Sequence, residues 1–494
     1  TSSTVAFVTL PRQTLRHLKI YTLIYRYIVK NNIYRIIFKY RKILNFDMNP
    51  FSHIDNLKWN KFFSKNTFIT GMGVYTVGYE ATAISLTLLI VLSSLHVPAK
   101  EKPILEGLLV SSGYFGMVVG GIVFGVLSNK GRKKYYGIDV LLMGIGSVGQ
   151  FFVSNLIELI LLRAVIGVGV GADFVLSPII ISENCNAKDR GKAIAIGRVV
   201  MITLGDITAS LVFLGLLLAH VSTPLLWRIT LSLGVIPALS TFYFRRRLPD
   251  TVRYLARVKG DLKALNEAVR QITGKDIVVN VTVDKTPAIV YLKRNWKFFL
   301  TSALLWFMLD LNIGIKEFGP TLIARNIGIT NPAVYKIVTD LGFALPGAFL
   351  GLWLVDKGRK LSQTLSLVSL ILVLALFVVL KNVIPDIGLF LIISTYYFVY
   401  NIGTHPIIGT GLPAIELTPT KLRGLVQGFV VAMAKTGGAI GTLVFPLLVH
   451  KYGLIGAFIP SISIYLVMLL LFLLVLPETN GKPLEETSKE IISF

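Results

Sequence analysis

The amino-acid sequence predicts an all-α polytopic membrane protein, with twelve transmembrane helices in two six-helix halves related by a pseudo-two-fold axis normal to the membrane. Three observations carry that expectation. Long apolar segments recur along the chain, the loops between them alternate in basic charge, and marks in the first half return in order in the second. At 494 residues, 53% hydrophobic and only 15% charged, the chain has too little polar surface for a soluble body of its size.

The apolar segments fall near 68–94, 104–128, 136–155, 157–182, 191–219 and 225–244, then near 297–326, 333–355, 361–381, 386–413, 424–449 and 453–476. About 20 such residues, rising 1.5 Å each, match a hydrocarbon core near 30 Å thick, and each segment is long enough. Pro178, Pro237, Pro346, Pro406 and Pro413 are tolerable in a bundle whose neighbours satisfy the freed backbone groups. The divisions expected are 1–67, a basic N-terminal segment; 68–244, the first half; 245–296, a cytoplasmic linker; 297–476, the second half; and 477–494, a cytoplasmic tail. The linker opens on Arg245, Arg246 and Arg247, has no fold-sized core, and is expected to form an amphipathic helix around Asp261 to Ile272.

Orientation follows from the loops. Lys130, Arg132, Lys133 and Lys134 fill one; Lys188, Arg190 and Lys192 another; Lys357, Arg359 and Lys360, then Lys421 and Arg423, two more. The loops around Asn155 and from His220 to Pro224 carry no Lys or Arg. The positive-inside rule therefore puts both termini and the linker in the cytoplasm of a multi-pass cell-membrane protein. The net charge of +24 is spent on this asymmetry, and no nucleic-acid recognition motif accompanies it. Residues 1–47 hold nine Lys/Arg against one acid, Asp47, directly before Met48. They are either a non-native upstream stretch or a basic amphipathic arm on an anionic inner leaflet. A single cysteine, Cys185, excludes an internal disulfide.

The halves repeat each other. NKGRK at 129–133 returns as DKGRK at 356–360; Glu183 with Arg190–Gly191 returns as Glu416 with Arg423–Gly424; Pro249–Asp250–Thr251 returns as Pro477–Glu478–Thr479. The common offset is about 230 residues, as parallel repeats about an axis normal to the membrane require.

These residues resemble the major facilitator superfamily, which is also the standard example of such repeats. GVLSNKGRKK at 125–134 resembles the loop motif between its second and third helices, with Asn129 where an Asp is usual. LPDTVRYL at 248–255 and PETNGKPLEE at 477–486 resemble the sugar-porter marks after helices six and twelve. GVGVGADFVLSPIIISE at 167–183 resembles the fourth-helix signature of the phosphate–proton symporters. Trp306, Phe307 and Asp310 resemble that branch's seventh helix, and Lys435 stands at its eleventh-helix lysine. Phe174, Met201 and Gly314 stand where that branch has tyrosine, glutamine and tyrosine, and Val77 replaces the first acid of a helix-one motif whose second is Glu80. Sugar porters place glutamines in helices five and seven; here Arg198 occupies the helix-five position and 297–326 has no glutamine. The resemblance implies a transporter that needs no cofactor or metal.

The residues themselves support the same reading. Ionisable groups inside a bilayer are expensive and usually face a cavity or the bundle interior. Counting at 1.5 Å per residue puts Glu80, Asp206, Asp310 and Lys435 within a few turns of the midplane, with Asp173 and Arg198 nearer the cytoplasm. Asp173 sits in RAVIGVGVGADFVLSPIIISE at 163–183, where Gly167, Gly169 and Gly171 let other helices come close. Trp306 and Asp310 share a helix face.

Lys435 and Arg198 are expected to hold an anion, Trp306 to form a flat wall, and Asp310 to bind when protonated and repel when ionised. Asp173, Glu80 and Asp206 are the other candidate proton carriers. Asn129, Arg132, Glu183, Arg190, Asp356, Arg359, Glu416 and Arg423 form a cytoplasmic latch, with Glu183/Arg190 and Glu416/Arg423 as charge pairs that break when the halves rock. Arg163 is expected to be a structural anchor and His405 a hydrogen-bonded core residue.

The expected function is proton-coupled symport of a small anion, inorganic phosphate or an organic acid, by a monomer in a lipid bilayer. A sugar or other neutral-solute porter, an uncoupled uniporter, and a non-transporting membrane receptor are the alternatives. No HExxH, nucleophile elbow or cysteine–histidine cluster points to an enzyme.

Overall fold

The structure is a computed structural model that describes residues 49–98, 100–279 and 282–490; the basic stretch 1–47 lies outside them. The crossing helices all belong to the unit His53–Phe494. Among the described residues all regular structure is helical. The first half holds α1 Lys61–Ser94, α2 Lys102–Ser128, α3 Ile138–Phe151, α4 Leu156–Asn184, α5 Arg190–Leu218 and α6 Thr223–Arg245. The second holds α7 Ala288–Glu317, α8 Pro332–Val355, α9 Arg359–Leu380 and α10 Asp386–Glu416. The 56-residue helix Thr420–Val475 breaks at Gly453, whose φ of 67° is left-handed, into α11 (420–452) and α12 (454–475).

Several boundaries differ from the sequence expectation, with α1 beginning at Lys61 rather than near 68 and α7 ending at Glu317 rather than near 326. α6 ends on Arg245, because that side chain turns into the bundle rather than out into the linker. α7 begins at Ala288, since a helix does not have to stop where the hydrocarbon does. Between them the linker forms an amphipathic helix, Leu262–Thr273, capped by the Asp261 side chain and closed by Gly274 at φ 70°.

Glycines set how closely the helices pack. A Cβ on Gly167 or Gly171 would lie 2.1 or 2.3 Å from a carbonyl oxygen of α2, so α4 rests backbone to backbone on that helix. The halves meet along α2 against α11 and α5 against α8. Near the end of α2 that leads into the basic loop, Gly125 faces Gly428 of α11, where a Cβ on Gly428 would lie 2.5 Å from the Gly125 Cα.

Helices around the centre are interrupted. α5 widens to a π turn at Ile196–Val200, and α10 does so at Tyr400–Thr404. α7 runs to Leu311, turns at Asn312 and Ile313, and resumes at Gly314. Such breaks free backbone groups and are tolerated in a membrane only inside protein or beside a cavity.

Candidate functional site

The breaks surround a cavity of ≈ 60 Å³ between the halves, lined by Arg198, Trp306, Asp310, Tyr400, His405 and Lys435 among others. Lys435 Nζ lies 2.7 Å from Asp310 Oδ2, and both side chains are buried. Phe174 and Trp306 stack with centroids 6.4 Å apart, one ring from each half. The Arg198 guanidinium lies 3.5 Å from the Phe174 centroid and 5.7 Å from that of Trp306, while Lys435 Nζ lies 4.6 Å above Phe174. Phe174 thus supplies a π face to two cations.

Arg198 is the unsatisfied member. Its Nη2 donates to the Gly409 carbonyl at 3.2 Å, but Nε and Nη1 are buried without a partner. A guanidinium so placed costs free energy until an acceptor arrives. The structure therefore brings Lys435, Asp310, Trp306 and Arg198 to one cavity. His405 also lines it, with Nδ1 3.0 Å from Asn401 Oδ1.

The remaining acids are engaged elsewhere. Asp173, from the same helix as Phe174, lies on the other side of α4, where Arg245 Nη2 reaches its Oδ1 at 2.6 Å and Arg245 Nη1 pairs with Asp139. Gly73 makes room for that arginine; a Cβ there would collide with the guanidinium. Glu80 is held by Arg163 at 3.2 Å and by Ser147, beside a second, smaller cavity. Asp206 lies 3.0 Å from Lys316 and 3.7 Å from Lys336, and accepts from Thr82 at 2.7 Å. None of the three lines the central cavity.

At the helix ends that carry the basic loops the charge pairs are exchanged relative to expectation. Glu183 binds Arg132 at 3.1 Å and Arg423 at 2.7 Å, whereas Glu416 binds Arg190 at 2.9 Å and Arg359 at 3.2 Å. Each glutamate takes one arginine from its own half and one from the other. The reason is the two-fold arrangement, which sets the end of α4 against the start of α11 and the end of α10 against the start of α5. Asn129 accepts from Arg132 at 3.3 Å, and Asp356 accepts from Arg359 at 3.0 Å.

The linker and tail close over this layer: Arg253 binds Asp55 and Glu485, each at 2.7 Å. Burial works to raise the Glu485 carboxyl, but the Arg253 guanidinium outweighs it and holds the group below the usual range.

Inter-half ion pairs at the Glu183 and Glu416 end, and Lys316–Asp206 and Tyr114–Glu317 on the other side of the cavity, bridge the halves at both ends. Lys316, Glu317, Tyr114 and Tyr400 also line the cavity and were not singled out from the sequence. Lys316 and Glu317 carried a signal, being charges inside an apolar segment. The tyrosines carried none.

Two six-helix halves around a charged cavity define a multi-pass secondary transporter of small molecules. The chain belongs to the sugar (and other) transporter family of the major facilitator superfamily, whose family model matches residues 64–490. This is a family of transporters, not enzymes. The chain is 28% identical to the metabolite transport protein YaaU of Escherichia coli (strain K12), over 90% of this chain and 99% of that one. It is 28% identical to low affinity inorganic phosphate transporter 4 of Medicago truncatula, over 85% and 90%. Among solved structures, the proton:xylose symporter XylE bound to 6-bromo-6-deoxy-D-glucose superposes with a TM-score of 0.73 at 20% identity, over 87% of this chain and 98% of that one. At that identity the likeness speaks for the fold alone.

Proposed function

We propose that the protein is a proton-coupled symporter of a small anion, working by alternating access in the cell membrane with both termini cytoplasmic. The observation that carries this is the unsatisfied Arg198 guanidinium beside the Lys435–Asp310 pair in a cavity between the two halves. A neutral sugar does not need a buried guanidinium; a carboxylate or phosphate matches its planar fork. The relatives named as inorganic phosphate transporters support the anion reading.

Each residue then has a task. Arg198 and Lys435 bind the anion, and Trp306 and Phe174 wall it. Asp310 takes a proton as the anion displaces it from Lys435, since two negative groups on one ammonium repel each other. Glu80, Asp173 and Asp206 enter the proton step only as their pairs with Arg163, Arg245 and the two lysines open. The exchanged cytoplasmic pairs hold the inner gate.

The test is uptake into proteoliposomes of labelled phosphate, lactate, succinate and xylose, with and without an imposed inward proton gradient. Gradient-driven accumulation of an anion is the expected outcome. Transport of xylose alone, or of an anion indifferent to a protonophore, refutes it.

A further inference from the structure

We propose that Glu317 carries the coupled proton, passing it between the substrate cavity and the Glu80–Arg163 pair. This rests on the proton-coupled reading above and adds to it a residue that reading does not use.

Glu317 closes α7 just beyond the break at Asn312 and Ile313. It is 6% exposed, yet it lines two cavities at once: the central one, and a neighbouring one of ≈ 30 Å³ shared with Glu80 and Arg163. Among the described residues its carboxylate has a single hydrogen bond, from the Tyr114 hydroxyl at 2.9 Å, and no Lys or Arg within ion-pair distance.

The surrounding charges come from every packed helix. Tyr114 (α2), Arg163 (α4), Asp206 (α5), Lys316 (α7), Lys336 (α8), Tyr400 (α10) and Lys435 (α11) all act on it, and Ser85 (α1) donates to its backbone carbonyl. Each cation in that set already has another acid. Lys316 has Asp206, Lys336 has Asp340, Arg163 has Glu80 and Lys435 has Asp310. Glu317 is the acid left over, and a buried carboxylate without a cation is costly unless a proton neutralises it.

The exchange balances in charge and protons. Protonated Glu317 gives its proton to ionised Glu80, and Arg163 leaves Glu80 for the newly ionised Glu317. One cation thereby serves two carboxylates in turn, and the pair stays neutral in both states. Because Tyr114 and Ser85 belong to the first half and Glu317 to the second, the step changes a contact that joins the halves.

The experiment compares wild-type and Glu317→Gln protein in liposomes with labelled phosphate and labelled lactate, reading both gradient-driven accumulation and gradient-free counterflow. A one-unit pH gradient coupled to one proton supports about tenfold accumulation. The wild type reaches it; Glu317→Gln drops to equilibration with its counterflow retained. Infrared difference spectra over a pH titration lose one carboxylic acid band in that variant.

Wild-type accumulation by Glu317→Gln overturns the proposal, and so does loss of counterflow in a variant that remains monodisperse. Should Glu317→Gln fail to fold, Tyr114→Phe removes the one hydrogen bond and keeps the acid. A shifted pH midpoint for counterflow supports the assignment and an unchanged one overturns it. Counterflow without accumulation in the wild type sinks the coupling reading itself, which is a separate result.

Discussion

Lys435 on α11 and Asp310 on α7 are 125 residues apart in sequence and meet at 2.7 Å, each buried and each the other's only ion-pair partner among the described residues. A charge held this way is satisfied either by its mate or by what replaces it, which in the proposed function is the anion. Lys435→Ala removes a charge-assisted bond of about 1.5–3 kcal/mol, or about ten- to a hundredfold in affinity. Asp310→Asn keeps affinity but flattens its pH dependence, because no carboxylate is left to repel the anion as pH rises. Uptake KM measured across pH checks both.

The exchanged pairs make contact at this end of the molecule a matter of mutual satisfaction between halves. Glu183→Gln strands Arg132 and Arg423, at a cost of about 3–5 kcal/mol to the form closed at this end, and shifts the population toward one open there. The lone cysteine reports it. Burial pushes the Cys185 thiol up to about 12, so the reactive thiolate is scarce at neutral pH. Opening brings the thiol back toward its ordinary value near 8.5. Maleimide labelling at pH 7.5 is therefore slow in the wild type and at least about tenfold faster in Glu183→Gln.

Gly428 tests the same gate without touching charge. A side chain there meets the Gly125 backbone of the other half, and overpacking of that kind costs about 1–3 kcal/mol. Gly428→Val wedges α2 from α11 at this same end and raises Cys185 labelling, while thermal stability in detergent falls little.

Arg245 is expected to matter for folding rather than for transport chemistry. It serves Asp139 and Asp173 together, all three fully buried. Arg245→Ala leaves two unpaired acids in the first half and destabilises by about 3–5 kcal/mol, seen as a lowered unfolding midpoint. Adding Asp139→Asn and Asp173→Asn recovers much of that loss.

Acid should loosen the tail. Glu485 is held below the ordinary Glu value by Arg253, so its contribution is fully present above about pH 4.3 and is lost as pH falls through the lower folded-state value. Limited proteolysis of residues 477–490 stays slow from pH 8 to pH 5 and accelerates only in stronger acid. Glu485→Gln accelerates it at neutral pH.

The spans and their two-fold repeat were legible because each depends on residues close together in the chain. Hydropathy finds a helix, loop lysines and arginines mark alternate loops, and NKGRK against DKGRK exposes the repeat. That Asp310, Trp306, Lys435 and Arg198 were worth naming was also legible, since a charge amid apolar residues stands out wherever it points. Phe174 was read as a missing hydroxyl; in the folded chain it is the surface on which Arg198 and Lys435 rest.

What the sequence by itself determined, then, was a helical membrane carrier with charges inside its apolar spans and its basic residues gathered in alternate loops. Only the tertiary structure decided which charge answers which: Asp173 to Arg245, Glu183 to an arginine 240 residues away, Glu317 to none. The physical reason is that depth in a bilayer follows from position along one helix. The direction a side chain faces, and the neighbour it finds there, follow from how twelve helices pack.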